Sequence, residues 1–220
     1  MRLEKNDTKL YVWGEDWYDK VKRKKGVPWS IDVMIKDEPN KYPGEWTMYE
    51  PSLDGYPPTG ENIFPQKAYL EIPANYKIAF DFLEWSHRVK IVSEGMLEFL
   101  QYHNIVEGYE IAVLDVISKK GKKIDVEKEY FALRFNLFDD EILGFNYKDK
   151  SVLISKMCGE KENEKQIFIS NHITYRSALI FTEKIKKSIE EKGFIGPGIY
   201  PIEKYKKEGN IYKRNSLGFN

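Results

Sequence analysis

The 220-residue chain holds one cysteine, Cys158, and three histidines. A lone cysteine excludes an internal disulfide and leaves no thiolate cluster for zinc, which fits a reducing compartment. His87, His103 and His172 lie far apart and share no metal-ligand spacing. Charge of one sign is not in excess either, because Lys plus Arg and Asp plus Glu number 35 each. No overall field therefore draws the protein onto nucleic acid or an anionic membrane, and a charged partner must meet a local patch. Nowhere do about 18 uncharged apolar residues run together, as a spanning helix would need. The opening residues Met1-Arg2-Leu3-Glu4-Lys5-Asn6-Asp7 carry no apolar secretory core. These absences lead to the expectation of a cytoplasmic protein with no membrane or nucleic-acid partner.

Catalytic signatures are missing as well. There is no Gly-Lys-Ser/Thr phosphate loop, no Gly-x-Ser-x-Gly elbow, no His-Glu-x-x-His helix and no paired cysteine. No cofactor is expected. Cys158 sits at the mouth of a charged loop without a His or Asp partner in view, so an idle or buried thiol is the expectation.

The first third of the chain differs in kind from the rest. Eight of the ten prolines and four of the five tryptophans, Trp13, Trp17, Trp29 and Trp46, precede residue 75. Prolines this dense forbid long helices, while aromatic side chains supply anchors for an irregular chain. Short strands and ordered loops are expected over 1–75, with Tyr11-Val12-Trp13 and Ile31 to Ile35 as strands.

Two later stretches repeat one local script. Lys90-Ile91-Val92-Ser93-Glu94 leads into Met96 to His103, stops near Asn104 and resumes as Glu110 to Leu114. Leu179-Ile180-Phe181-Thr182-Glu183 leads into Ile185 to Lys192, stops at Gly193 and resumes as Ile199 to Glu203. Ser93 and Thr182 are placed to cap free backbone N–H groups, and Glu94 and Glu183 put negative charge at the positive end of each helix dipole. Asn104 and Gly193 are the residue types that tolerate the left-handed stop. Met96 with Leu100, and Ile185 with Ile189, share a face at four-residue spacing, and Glu183/Lys187 and Lys187/Glu191 are spaced for ion pairs. The echo predicts a duplicated strand-helix-strand unit at about 89–116 and 178–205. Chance recurrence of strand, capped helix and strand is the alternative.

Elsewhere, Glu129 to Phe138 alternates Phe131, Leu133, Phe135 and Leu137 with Tyr130, Ala132, Arg134 and Asn136, which predicts a strand with one buried face. Ser118 to Lys123 reads as a solvated turn. Gly159 to Lys165 separates Ser151-Val152-Leu153-Ile154 from Gln166-Ile167-Phe168-Ile169 as a hairpin loop would. The class expected is α+β, with a mixed or antiparallel sheet and a few helices. One domain spans 1–220, made of the Pro/Trp/Tyr-rich 1–75, a regular core at 76–205 and a polar tail at 206–220.

Three features invite a functional reading. Asp139-Asp140-Glu141 is the densest carboxylate cluster, but successive residues on an extended chain point to opposite sides, so a solvated turn or structural cap outweighs a metal site. Lys22-Arg23-Lys24-Lys25 lies near Trp17, Tyr18 and Trp29, an interleaving seen in single-strand binders, yet neutral total charge favours a solvated loop. Tyr42 to Tyr49, with Trp46 and Tyr49, is rich in the side chains that dominate binding hot spots, and also in those that fill cores. His103, at a helix C-terminus, reads as a favourable dipole partner.

The later two-thirds resembles a family of bacterial immunity proteins that neutralise polymorphic toxins. The resemblance rests on Ile91-Val92-Ser93-Glu94, on Tyr130 to Asn136 followed by Asp139-Asp140-Glu141-Ile142, on Gln166-Ile167-Phe168, and on Ile180-Phe181-Thr182-Glu183 through Gly193-Phe194-Ile195-Gly196 to Pro201-Ile202-Glu203. It covers roughly residues 88–205. It implies a protein without catalytic residues that binds a cognate toxin in the producer's cytoplasm and occludes its active site or substrate surface. Trp46, Tyr49, Asp139, Asp140 and Glu141 are then the candidate partner-binding residues. The rivals are an enzyme using Asp139 or Asp140, and a peptide- or carbohydrate-binding module built on Trp13, Trp17, Trp29 and Trp46.

Overall fold

The computed structural model describes residues 9–15, 25–73, 76–103, 108–140, 142–146, 151–154, 165–172, 174–176 and 178–205. The strands are β1 (Leu10–Gly14), β2 (Met34–Lys36), β3 (Lys67–Ile72), β4 (Phe82–Glu84), β5 (Val89–Ser93), β6 (Tyr109–Ser118), β7 (Tyr130–Phe135), β8 (Leu143–Asn146), β9 (Ser151–Ile154), β10 (Ile167–Phe168), β11 (Leu179–Thr182) and β12 (Gly198–Pro201). The helices are the single turn α1 (Pro51–Asp54) and two nine-residue helices, α2 (Glu94–Tyr102) and α3 (Glu183–Glu191). The strands form a six-stranded sheet, order β2-β3-β6-β7-β5-β4, a four-stranded sheet, order β10-β11-β1-β12, and the pair β8-β9. The protein is α+β, and β3 with β6 is the one parallel ladder among the described residues. No helix among them is long and apolar enough to cross a membrane.

The repeated script folds twice into the same arrangement. In the first unit β5 and β6 run parallel, with β7 between them antiparallel to both, so that Ala132 faces Ile91 on one side and Ala112 on the other. In the second, β11 and β12 run parallel with β1 between them, and Val12 faces Ile180 and Tyr200. Each helix packs on the first strand of its unit and on the inserted strand, α2 on β5 and β7, α3 on β11 and β1. The inserted strand comes from later in the chain in one unit and from the N-terminal end in the other.

The two units meet helix side to helix side. Met96 and Leu100 of α2 and Ile185 and Ile189 of α3 share one apolar cluster with Trp13, Leu133, Phe135 and Phe181. Full burial of a side chain of this kind is worth about 1.5–3 kcal/mol. Trp13 spans the joint, its ring 4.8 Å from Phe82 and 6.5 Å from Phe181, while its indole N–H donates to Pro197 O at 3.0 Å. Asp81 pins the same joint, accepting from Ser93 Oγ at 2.6 Å, Lys128 Nζ at 2.7 Å and the Ile195 N–H at 2.8 Å. On the far face of each sheet lies a second cluster. Residues 27–83 cover the six-stranded sheet through Val33, Trp46 and Phe64 among others, and Leu143, Tyr175, Ile202 and Tyr205 cover the four-stranded one.

The helix ends are solved differently. Ser93 Oγ accepts from the Met96 N–H at 3.4 Å, a side-chain cap, as expected. Thr182 makes no such cap, because its hydroxyl donates to Gln166 Oε1 at 2.7 Å instead. Gly193, at φ 68°, closes α3 in the left-handed conformation, and the bonds Gly193 N–H to Glu190 O and Phe194 N–H to Ile189 O complete a Schellman stop. Asn104 lies outside the described residues. The ion pair on α3 is Lys186 with Glu190 at 2.7 Å. His103 is not a cationic dipole partner: burial, then Lys184 and Lys192 of the neighbouring helix, push its pKa down, and the ring stacks edge-on with Phe99 at 4.6 Å.

Other expectations need correction. Residues 31–35 are not one strand, since Ser30–Asp32 is a 3-10 turn and pairing begins at Met34. The pairing foreseen between 151–154 and 166–169 does not form; β9 pairs with β8 and β10 with β11, because tertiary neighbours and not the intervening loop choose the partner. β7 buries both faces, as the N-terminal segment covers Tyr130, Ala132 and Arg134. The turn at Ser118 to Lys123 forms as expected, with Gly121 N–H bonded to Ser118 O.

Candidate partner-binding surface

Residues 44–64 form an ordered strap over the outer face of the first unit. It contains a 3-10 turn at Glu45–Met48, then α1, then a second 3-10 turn at Gly60–Asn62. Proline explains the brevity of these elements: Pro51 starts α1, where its missing N–H costs nothing, and Gly55 ends it at φ 82°. Pro57 and Pro58 then block ladder pairing.

Two buried arginines from the first unit hold the strap. Arg134, on β7 and 1% exposed, donates from Nη1 to Trp46 O at 3.0 Å and Asn62 O at 2.7 Å, clamping the two 3-10 turns together. Its Nε and Nη2 reach Glu110 Oε2 at 2.8 and 2.6 Å, and the guanidinium lies over the rings of Tyr49 (4.5 Å) and Phe64 (5.0 Å). Buried charge is tolerated when its donors are matched this fully. Arg88, just before β5, pairs with Glu50 and also donates to Phe135 O at 3.3 Å. The Arg88 hydrogen bond holds the Glu50 carboxyl below its usual range. His87 beside them is pushed down to about 4, first by burial and then by Arg88, Lys90 and Arg176.

The candidate residues fall in two places. Trp46 and Tyr49 are 3% and 1% exposed, so they work from beneath the strap. The Trp46 ring packs 5.0 Å from Phe64 and 6.2 Å from Trp85, and its N–H donates to Asp37 at 2.5 Å. The Tyr49 hydroxyl donates to Gly55 O at 2.8 Å. Burial pushes the Tyr49 pKa up. What these anchors leave outside is apolar: Met48 is 82% exposed, Leu53 84% and Tyr42 85%, and Tyr56 and Ile63 are also exposed. Five of the ten large exposed hydrophobic side chains among the described residues thus belong to residues 42–63, a tenth of the chain.

Asp139 and Asp140 lie elsewhere, in the loop after β7. Asp139 accepts from Lys165 and from the Ile169 N–H at 2.8 Å, and its own N–H donates to Ile169 O at 2.7 Å. Asp140, exposed, accepts from Ser170 Oγ at 2.7 Å and the Asn171 N–H at 3.1 Å. They tie the end of β7 to the β10 edge, the cap role weighed against metal chemistry. Glu141, Cys158, the Lys22 to Lys24 run, Trp17 and the tail 206–220 lie outside the described residues. Among the described residues no three His, Cys, Asp or Glu side chains are grouped as a metal ion would require. Trp13 and Trp46 are buried in different clusters, so neither is exposed to line the groove that a tryptophan-based module would need, and Trp29 is half-buried.

The alternation places Arg134 on the side of β7 expected to face solvent, and the structure buries it instead. Its signal was the charge set in alternation with Tyr130 and Ala132, a position facing the sheet's covered side.

The protein is thus a doubly split α+β scaffold with a pinned strap that leaves Met48, Leu53 and Ile63 exposed. The particular family follows from comparison with known proteins: the model of Immunity protein 43 matches residues 19–214, and the chain belongs to that family. The match takes in the strap and both repeated segments, 89–116 and 178–205, but not β1. No curated protein matches the chain.

Proposed function

We propose that this protein binds a cognate toxin one to one and neutralises it without catalysis, in the cytoplasm of the cell that makes both. Membership of the Immunity protein 43 family along residues 19–214 carries the reading. In it the whole chain acts as one unit, a view supported by the insertion of β1, residues 10–14, between strands of residues 179–201. Trp46 and Tyr49 contribute by holding Met48 and α1 outward, and the turn at Asp139, Asp140 and Glu141 offers a second contact region. Hot-spot energetics favours the apolar strap as the centre of such a contact.

The test is co-expression with the product of the neighbouring gene. A growth defect caused by that product and relieved by this protein, together with a stable equimolar complex, is the expected result. A product that remains toxic in the presence of this protein, with no complex on gel filtration, would overturn the reading.

A further inference from the structure

The strap has a charge that total composition hides. Residues 44–64 hold four acids, Glu45, Glu50, Asp54 and Glu61, and no Lys or Arg, and the approach to them adds Asp37 and Glu38 against Lys41, in a chain whose formal net charge is zero. Inner partners account for part of this, since Glu50 faces Arg88, Asp37 accepts from Trp46, and Glu38 pairs with Lys41 at 2.7 Å. Glu45, Asp54 and Glu61 are exposed, and among the described residues no cation pairs with them. They are interleaved with Met48, Leu53 and Ile63 on one segment clamped by Arg134 and Arg88. Exposed apolar side chains on an ordered segment, bordered by acids of one sign, make a surface that selects an apolar patch ringed by Lys and Arg.

We infer that residues 42–63 are the face that grips the toxin, and that the toxin presents there a basic surface with an apolar centre. This rests on the immunity reading above. Of the other exposed apolar side chains among the described residues, Ile31, Tyr102 and Leu137 stand apart in sequence, while Ile111 and Val113 share a face of β6 whose charges are already paired, Lys67 with Asp115 at 2.7 Å and, further along, Lys36 with Glu71 at 2.6 Å. Its acids are therefore not free to choose a basic partner.

The experiment uses the full chain and the purified neighbouring-gene product. Calorimetric affinity is measured for wild type and for three double variants: M48A/L53A, E45K/E61K and I111A/V113A. Melting temperature serves as the folding control. The side chains altered in the first two are exposed, so folding should be unchanged. Each of these two should weaken binding about tenfold or more, and E45K/E61K should also flatten the fall of affinity with rising salt. I111A/V113A should bind within about twofold of wild type. Full affinity in both strap variants, or a loss confined to I111A/V113A, would overturn the assigned face while the immunity reading stands. No complex even with wild type would overturn the reading and the face together.

Discussion

The two split units share strand polarity, helix length and helix packing, yet only the first is dressed with a strap. Arg134 on the inserted strand and Arg88 before β5 hold it there. In the first unit the inserted strand carries Arg134, whose guanidinium reaches through the outer face to hold two turns of an otherwise irregular chain. In the second the inserted strand offers Leu10 and Val12 to a small apolar cluster. A common scaffold thus acquires a distinct surface by placing a buried cation, Arg134 opposite Glu110, where its twin has Gly14 opposite Gly198.

Removing that cation should have the largest effect. Arg134→Met would leave Asn62 O without its donor, Trp46 O with the Tyr49 N–H at 3.4 Å alone and Glu110 with Asn136 alone, and should cost about 2–3 kcal/mol by urea denaturation. Lysine should not restore it, since a single ammonium cannot reproduce the fork. A loss below roughly 0.5 kcal/mol would mean the strap holds itself.

The contrast in helix ends yields the next pair. Gly193→Val should cost about 1 kcal/mol or more, although the space around it is open, because the penalty is the left-handed backbone alone. Ser93→Ala should cost roughly 1–2 kcal/mol, since Ser93 both caps α2 and donates to Asp81. Thr182→Ala should leave the start of α3 unaltered by hydrogen exchange, as its hydroxyl points to Gln166. Equal fraying after the serine and threonine changes would erase the distinction.

The smallest effect is in pH. His87 is held near 4 in the fold and titrates near the ordinary histidine value of 6.5 when unfolded, so the unfolded chain binds the extra proton between those values. Stability is full above pH 6.5 and falls as the pH drops toward 4. Allowing for its partial exposure, the loss is on the order of 1 kcal/mol. Glu50, with its pKa lowered by Arg88, adds a loss of the same sign as the pH falls further. His87→Gln should flatten the stability profile between pH 6.5 and 4.

Much of the scaffold was legible because local rules agree. Apolar runs, a hydroxyl before Glu, and Gly193 announced the two helices within two residues at their starts and one at their ends, and four-residue spacing named Met96, Leu100, Ile185 and Ile189 as core. Strand partnership was not legible, because β1 sits between β11 and β12 at a separation no local pattern encodes. β3 shows how Pro65 and Pro73 obscured a signal that was present: Ala68, Leu70 and Ile72 alternate and are all buried. The aromatic segment Tyr42 to Tyr49 was legible as a candidate surface, but Trp46 and Tyr49 are buried, and what the strap exposes is Tyr42, Met48 and Leu53. The strap's acidity escaped notice because its carboxylates are spread from Glu45 to Glu61 and not clustered like Asp139 and Asp140.

Hydrogen exchange of the protein with and without the neighbouring-gene product tests the central claim most directly. The account predicts that the complex slows exchange within residues 44–64, while the amides of α3 and β12 keep their free-state rates. A complex that leaves 44–64 unchanged and protects the second unit instead would contradict it.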